Sequence, residues 1–334
     1  MSIELTTVAD DEVVLFEAER RRDHHNLAPG TAHILDGVAV TTLPRPGELL
    51  SRFATVNDVH FGETTCGVID GTDIGPTFSV VDGEEPYPEF MNRGAIAEIS
   101  VIDPAVVIVK GDLTSRGTLE EYDRFRSFYE PAFGDRLCHV RGNHDAYHGQ
   151  VFADWPTQEI DVPGLRIAVL DTSRDHQVNG SIGADQLEWL DELAARADRP
   201  VLVFGHHHIW DPAADRRRDD YFGIRPSDSE ALLAVFARRS QLRGYFAGHT
   251  HRNRRVMIDD VPFVEVACVK DYPGAWAEYR VFEGGILQIH RRISTPQALR
   301  WTEQTRHMYE GGYQAYAFGS LDDRCFLIET QSDE

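Results

Sequence analysis

The chain has 334 residues, 42% apolar and 26% charged, and no apolar run approaches the roughly 20 residues that cross a bilayer, so a water-soluble globular chain with a large core is expected and a membrane partner is not. Its net charge of −22 argues against nucleic-acid polymers as partners, and against anionic ligands unless bound cations reverse the sign locally. Four scattered cysteines without a Cys-x-x-Cys pair exclude a disulfide framework, and the polar, acidic stretch Met1 to Asp10 lacks the pattern of a secretory leader, so a cytoplasmic location is expected.

Residues 1–45 are expected to form an N-terminal β-hairpin extension. Val13–Phe16 and Val38–Val40 read as two short strands around a polar, turn-rich segment. His24, His25 and His33 fall in that segment and are read as solvated. Pro44-Arg45-Pro46-Gly47 marks the start of the main domain, expected over 46–290, with 291–334 as a C-terminal extension holding one helical stretch near Pro296–His307.

Arg52–Asn57 reads as the first core strand and delivers Asp58 and His60. These are two residues apart, so in extended backbone both side chains would point the same way. Residues 61–88 are rich in Gly, Pro, Thr and Asp, and a lid or a substrate-shaping role is expected of them. Cys66 is read there as a surface thiol, and Cys138 and Cys268 as buried ones. Helical spacing covers 89–101 until Pro104. Ala105–Val109 is a near-continuous apolar strand, the mark of a sheet covered on both faces, and it ends at Lys110-Gly111-Asp112. Thr118 and Glu121 resemble a capping box opening a helix to about Tyr129, with Tyr122, Phe125 and Phe128 on its core side.

Leu137–Val140 then leads into Arg141-Gly142-Asn143-His144-Asp145. A strand over Arg166–Leu170, a helix over Ala184–Ala197 and a strand over Val201–Phe204 precede Gly205-His206-His207-His208. The run Arg216-Arg217-Arg218 is expected to face solvent. A helix over Ser227–Arg239 and a strand over Arg243–Ala247 lead to Gly248-His249-Thr250-His251. From Val256 to His290 four short strands follow without helices, as a β meander. Alternating strands and helices followed by strands alone predict an α/β sandwich with two sheets inside and helices outside. No phosphate-binding Gly-rich fingerprint and no Gly-x-Ser-x-Gly elbow occurs.

Five blocks thus place polar residues directly after apolar runs, and seven of the 15 histidines lie inside them. Carboxylate, amide and imidazole donors in this mixture suit transition-metal ions. The order Asp58-x-His60, Gly111-Asp112, Gly142-Asn143-His144-Asp145, His206 after a strand and Gly248-His249-x-His251 resembles the calcineurin-like metallophosphoesterase superfamily. Leu170-Asp171-Thr172-Ser173 with Gln186–Leu190 is similar to its bacterial branch of class III cyclic-nucleotide phosphodiesterases and glycerophosphodiesterases. The resemblance spans residues 58–251 and implies a four-layer αββα sandwich, here with a short N-terminal β preface.

That resemblance implies two divalent metal ions, with Mn, Fe or Zn expected. Asp58, His60 and His251 would hold one, and Asn143, His206 and His249 the other. Asp112 would bridge both; His206 is preferred to His207 as the first His after its strand. Its expected function is phosphodiester hydrolysis, with cyclic nucleotides among the candidate substrates, by a hydroxide bridging the ions. His144 would assist the leaving group, with Asp145 orienting its ring. Substrate contacts are expected from Asn143, His144 and His207, while His208, where relatives of this branch carry Pro, is left between contact and structure. The alternatives are a phosphomonoesterase or nucleotide pyrophosphatase with the same site, and a non-catalytic scaffold. The expected partner is a small phosphoester; a homodimer is left open.

Overall fold

Strands with near-continuous apolar runs persist only where both faces are covered, and Val107–Lys110 and Val201–Phe204 are buried at every position, Lys110 included. The computed structural model describes residues 3–69, 71–81, 83–149 and 151–330. β1 (Glu4–Val8), β2 (Glu12–Glu17) and β3 (Arg20–His25) form one antiparallel sheet, and β4 (Ala32–Leu35) and β5 (Val38–Thr41) a separate hairpin. The single hairpin expected here is therefore two units. Arg20–His25 contains no apolar residue, so no periodicity marks it as a strand; it is held by pairing along the whole of β2.

The chain then alternates: β6 (Leu49–Val56), α1 (Tyr87–Val101), β7 (Val107–Lys110), α2 (Leu119–Phe133), β8 (Leu137–Val140) and the single turn α3 (Asn143–Ala146). There follow β9 (Thr157–Val162), β10 (Leu165–Leu170), α4 (Ala184–Arg196), β11 (Val201–Phe204), α5 (Pro226–Arg238) and β12 (Leu242–Ala247). Four strands come next, β13 (Arg254–Ile258), β14 (Val261–Glu265), β15 (Ala275–Phe282) and β16 (Gly285–Arg292). The chain closes with α6 (Pro296–Thr305), α7 (Tyr313–Phe318), α8 (Leu321–Arg324) and β17 (Phe326–Glu329). Thr118 caps α2 with the reciprocal Glu121 bond that the sequence announces.

Two six-stranded sheets result, in the orders β17-β16-β15-β6-β7-β8 and β13-β14-β12-β11-β10-β9. Their inner faces meet over Phe53, Phe204, Phe246 and Tyr279, with Phe53 stacked on Tyr279 at 4.5 Å. Helices α1 and α2 cover the outer face of the first sheet with Met91, Phe125 and Tyr129. Helices α4 and α5 cover that of the second with Leu190, Leu193 and Leu232. This is the four-layer αββα arrangement expected from the motif series.

The expected single meander is instead divided, because β13–β14 extends the second sheet while β15–β16 joins β6 in the first. The crossover between them, residues 266–274, passes the ends of the motif-bearing strands. The segment after residue 290 is woven into the first sheet: β17 pairs with β16, and Trp301 of α6 stacks on Tyr87 of α1 at 4.5 Å. No helix among the described residues is long and apolar enough to cross a membrane.

The preface is fastened by buried charge. Glu278 on β15 accepts bonds from Arg280 (2.7 Å) and Arg291 (2.6 Å), Arg280 reaches Asp10 and Asp11, and Arg291 reaches Glu12. Burial pushes the Glu278 carboxyl up, but the two guanidiniums outweigh it and hold it at about 2, below the usual 4.5. A carboxylate depressed in this way stabilises the fold above pH 4.5 and loses that contribution as pH falls towards 2. Arg280→Met leaves Glu278 and Asp10 short of a buried partner and is expected to cost about 3–5 kcal/mol at neutral pH. Chemical denaturation at neutral pH measures this; an unchanged midpoint would show that the cluster is energetically neutral.

Candidate metal centre

The motif residues sit at the C-terminal ends of β6, β7 and β8 in one sheet and of β11 and β12 in the other, where the two sheets open. The backbone turns sharply there. Asp58 (φ 53°), His60 (47°), Asp112 (49°), His249 (69°) and His251 (55°) are all left-handed, a conformation costing on the order of 1–3 kcal/mol per residue that persists at functional sites. Asp58 and His60 therefore do not share a face through extended pairing, as the two-residue spacing suggested; a tight turn brings them together. Two glycines make the approach close enough. A Cβ on Gly111 (φ 83°) would stand 2.5 Å from His206 Nδ1, and one on Gly142 would stand 2.2 Å from Asp112 Oδ1.

One donor group comprises Asp58, His60, Asp112 and His251, with one donor atom from each lying within 4.8 Å of the others, and a second comprises His206, His207 and His249. Asp112 joins the two: its Oδ2 lies 3.3 Å from His60 Nε2 and its Oδ1 3.4 Å from His206 Nε2. Asn143 Oδ1 lies 3.0 Å from the same His206 nitrogen, because the Asn143 amide nitrogen donates to Tyr147 Oη at 2.6 Å.

The hydrogen bonds around these rings leave specific nitrogens for a cation. His206 Nδ1 faces the Lys110 carbonyl at 2.8 Å and must carry a proton to bond it, so Nε2 presents its lone pair to Asn143 and Asp112 oxygens. His249 Nε2 donates in the same way to the Phe222 carbonyl at 2.9 Å, leaving Nδ1. His60 is 2% exposed, and neither of its ring nitrogens has a hydrogen-bond partner among the described residues. A cation among these lone pairs and carboxylates would satisfy them together, so the donor set fits metal ions. Without one, a proton serves: burial lowers the His206 pKa, but Asp112 and Asp58 outweigh burial and raise it to about 9. Burial also raises the Asp112 carboxyl, and His206 and His144 hold it well below its ordinary range.

Further residues shape the same donors and went unread in the sequence. Glu63 lies 3.4 Å from His60 Nδ1 and is itself paired with buried Lys270 at 2.6 Å. Asp271, on the crossover, lies 3.7 Å from His251 Nδ1 and accepts from Tyr313 Oη at 2.5 Å. Asp271 had a usable signal, since it too follows an apolar run; Glu63 had none. Cys66 is buried rather than at the surface. Its loop folds inward through a backbone bridge to Phe78, placing the thiol 3.5 Å from Asp271. Cys138 and Cys268 are buried as expected.

Two residue roles differ from expectation. Asp145 does not touch the His144 ring. Neighbours in a helical turn do not face each other, and Asp145 accepts instead from the backbone of Leu113, Thr114 and Gly142, pinning the Asp112 loop to α3. The Ser115 carbonyl, 2.7 Å from His144 Nδ1, orients that ring. His207, from which a substrate contact was expected, is fully buried with both nitrogens engaged, Nδ1 by Thr172 Oγ1 at 2.8 Å and Nε2 by the Val178 carbonyl at 3.1 Å, and its ring packs against His249. His208 is buried behind His249, whose ring it faces at 6.1 Å, among Asp211, Tyr245 and Glu265. Arg217 and Arg218 pair with Glu230 and Asp220 at the surface, and do not line the cleft.

Above the donors opens a cleft of ≈ 470 Å³. Asp112, Asn143, His144, His249 and His251 face it, and aromatic and aliphatic side chains complete its wall, among them Ile69 from the 61–88 loop.

A family model described as calcineurin-like phosphoesterase matches residues 51–253. A cAMP/cGMP dual specificity phosphodiesterase from Mycobacterium tuberculosis is 30% identical over 58% of this chain and 62% of its own length. A cyclic adenosine monophosphate phosphodiesterase from Pseudomonas aeruginosa is 32% identical over 44% of this chain and 54% of its own. The chain thus spans between about half and two thirds of the length of these relatives. Among solved structures, a dimetal phosphatase from Danio rerio has the same fold, with TM-score 0.56 and 17% identity over 74% of this chain and 98% of that one.

Proposed function

Because the chain belongs to the calcineurin-like phosphoesterase family, we propose that it is a metal-dependent phosphodiesterase with a dinuclear site, and that cyclic nucleotides are among its substrates. The observation that carries this reading is the shared Asp112, which stands between two buried donor groups at the floor of an open cleft. Asp58, His60, Asp112 and His251 hold one cation; Asp112, Asn143, His206 and His249 hold the other. Nitrogen and oxygen donors in this mixture suit Mn, Fe or Zn. The chemistry such ions supply when bound is activation of water near neutral pH and polarisation of the phosphoryl oxygens. His144, whose Nδ1–H donates to the Ser115 carbonyl, would pass a proton from Nε2 to the departing ester oxygen when its ring is the doubly protonated imidazolium, and return to the neutral ring as it does so. Asp145 acts at a distance, by keeping the loop of Asp112 against α3.

Charge favours a diester over a monoester. Two donor carboxylates against two divalent cations leave about +2. That suits a nucleophile and a monoanionic diester. A phosphomonoester dianion would call for a cationic side chain, and among the described residues no Lys or Arg lines the cleft. One extra unit of charge near the surface of a site is worth up to about 4 kcal/mol. The metal-loaded chain is therefore expected to favour bis(p-nitrophenyl) phosphate over p-nitrophenyl phosphate by about tenfold in kcat/KM, which takes up about 1.4 kcal/mol of that ceiling. The reverse preference would establish a monoesterase, and no turnover of either despite bound metal would establish a scaffold. The four free, buried cysteines fit a cytoplasmic location.

A further inference from the structure

The C-terminal segment lies outside the matched residues 51–253, yet it supplies Tyr309, Tyr313 and Tyr316 to the wall of the cleft. Phe222, from the stretch between β11 and α5, lines the same cleft. Two of these rings are exposed and yet fixed. Phe222, 51% exposed, stacks on His249 with centroids 4.1 Å apart and planes 28° apart. Tyr316, 43% exposed, donates its hydroxyl to the Thr250 carbonyl at 2.9 Å and carries the Arg252 guanidinium 5.3 Å from its centroid. A single exposed ring is ordinary, but these two stand at one cleft and each is tethered to the Gly248–His251 turn that carries the proposed metal donors. Both rings line the cleft beside the donors, each with one side already packed, Phe222 against His249 and Tyr316 against the Arg252 guanidinium, and among the described residues no Lys or Arg lines the cleft to bind a second anionic group.

We infer that Phe222 and Tyr316 are specificity-determining residues that hold a planar ring on the substrate, a nucleobase or an aryl group, next to the phosphoester. The inference rests on the phosphodiesterase reading. It separates this chain from a glycerol-type or other alkyl diesterase, for which such rings would have nothing to stack on. Stacking a base on an aromatic side chain contributes about 1–3 kcal/mol, a factor of roughly 5–150 in affinity.

The test measures binding of adenosine monophosphate and of ribose phosphate, which lacks the base, to the Mn-loaded full chain by calorimetry. The wild type is expected to bind the base-bearing ligand at least about tenfold more tightly. Phe222→Ala and Tyr316→Ala should each bring that ratio towards unity. Phe222→Leu, which keeps apolar bulk without a π-face, should lower it as well, and the circular dichroism of all three should match wild type. A wild-type ratio near one, or a ratio untouched by all three substitutions, overturns the inference while leaving the phosphodiesterase reading intact. Failure of the metal-loaded wild type to bind the base-bearing ligand while it still hydrolyses bis(p-nitrophenyl) phosphate overturns the inference alone; loss of that hydrolysis as well overturns both.

Discussion

Asp112→Ala is expected to leave the chain folded but unable to retain metal, with phosphodiester hydrolysis reduced to background. This carboxylate is the single group common to both donor sets, so its removal takes an oxygen from each. It also removes the counter-charge that holds His206 poised between Asn143 and the centre of the site. Metal and oxyanion stabilisation of several kcal/mol is at stake, on the order of 10³-fold or more in rate. Folding should survive, because the partners of the buried charge that disappears are, among the described residues, the histidines of the site and the His144 backbone N–H. Elemental analysis after dialysis, together with turnover of bis(p-nitrophenyl) phosphate, reads out both effects. Full metal content in the variant would remove the reason for assigning two cations to one shared carboxylate.

His144→Ala should behave in the opposite way, keeping metal and losing turnover. His144 belongs to neither donor group, and its Nδ1 is occupied by the Ser115 carbonyl at 2.7 Å. Its ring nevertheless faces the cleft, beside His60 and Tyr147. Proton transfer by a positioned side chain contributes typically about 10²–10⁴-fold, so a loss in that range with a diester bearing a poor alkoxide leaving group is the expected result. With a good leaving group such as p-nitrophenolate, which needs no proton, the loss should shrink. The contrast between the two leaving groups separates protonation from mere positioning: an equal loss with both would reassign His144 to binding the phosphoryl oxygens.

Much of this arrangement could be read along the chain. Each ligand block follows an apolar strand directly, and the blocks keep one order, so β6, β7, β8, β11 and β12 were legible together with their cargo. The core helices were equally legible, because Thr118 with Glu121 and the leucines of α4 announce a cap and a stripe. The charged strand β3 was not legible, since it is held by pairing and ion contacts rather than by apolar alternation. Nor was the inward fold of Cys66, which depends on a backbone bridge twelve residues away.

The order of residues along the chain was sufficient for the family and the two-sheet sandwich, and for placing the proposed donors at strand ends, because strand ends and their polar successors are local features. Packing in three dimensions was needed for everything that depends on direction. It turned Asp145 towards the loop backbone instead of its neighbour's ring, and it sealed His207 between Thr172 and Val178. It split the last four strands between two sheets, and it carried Tyr316 to a site that begins more than 250 residues earlier. A side chain's orientation is fixed by whichever donors and acceptors the rest of the molecule brings within hydrogen-bonding reach, and no spacing rule in the sequence carries that information.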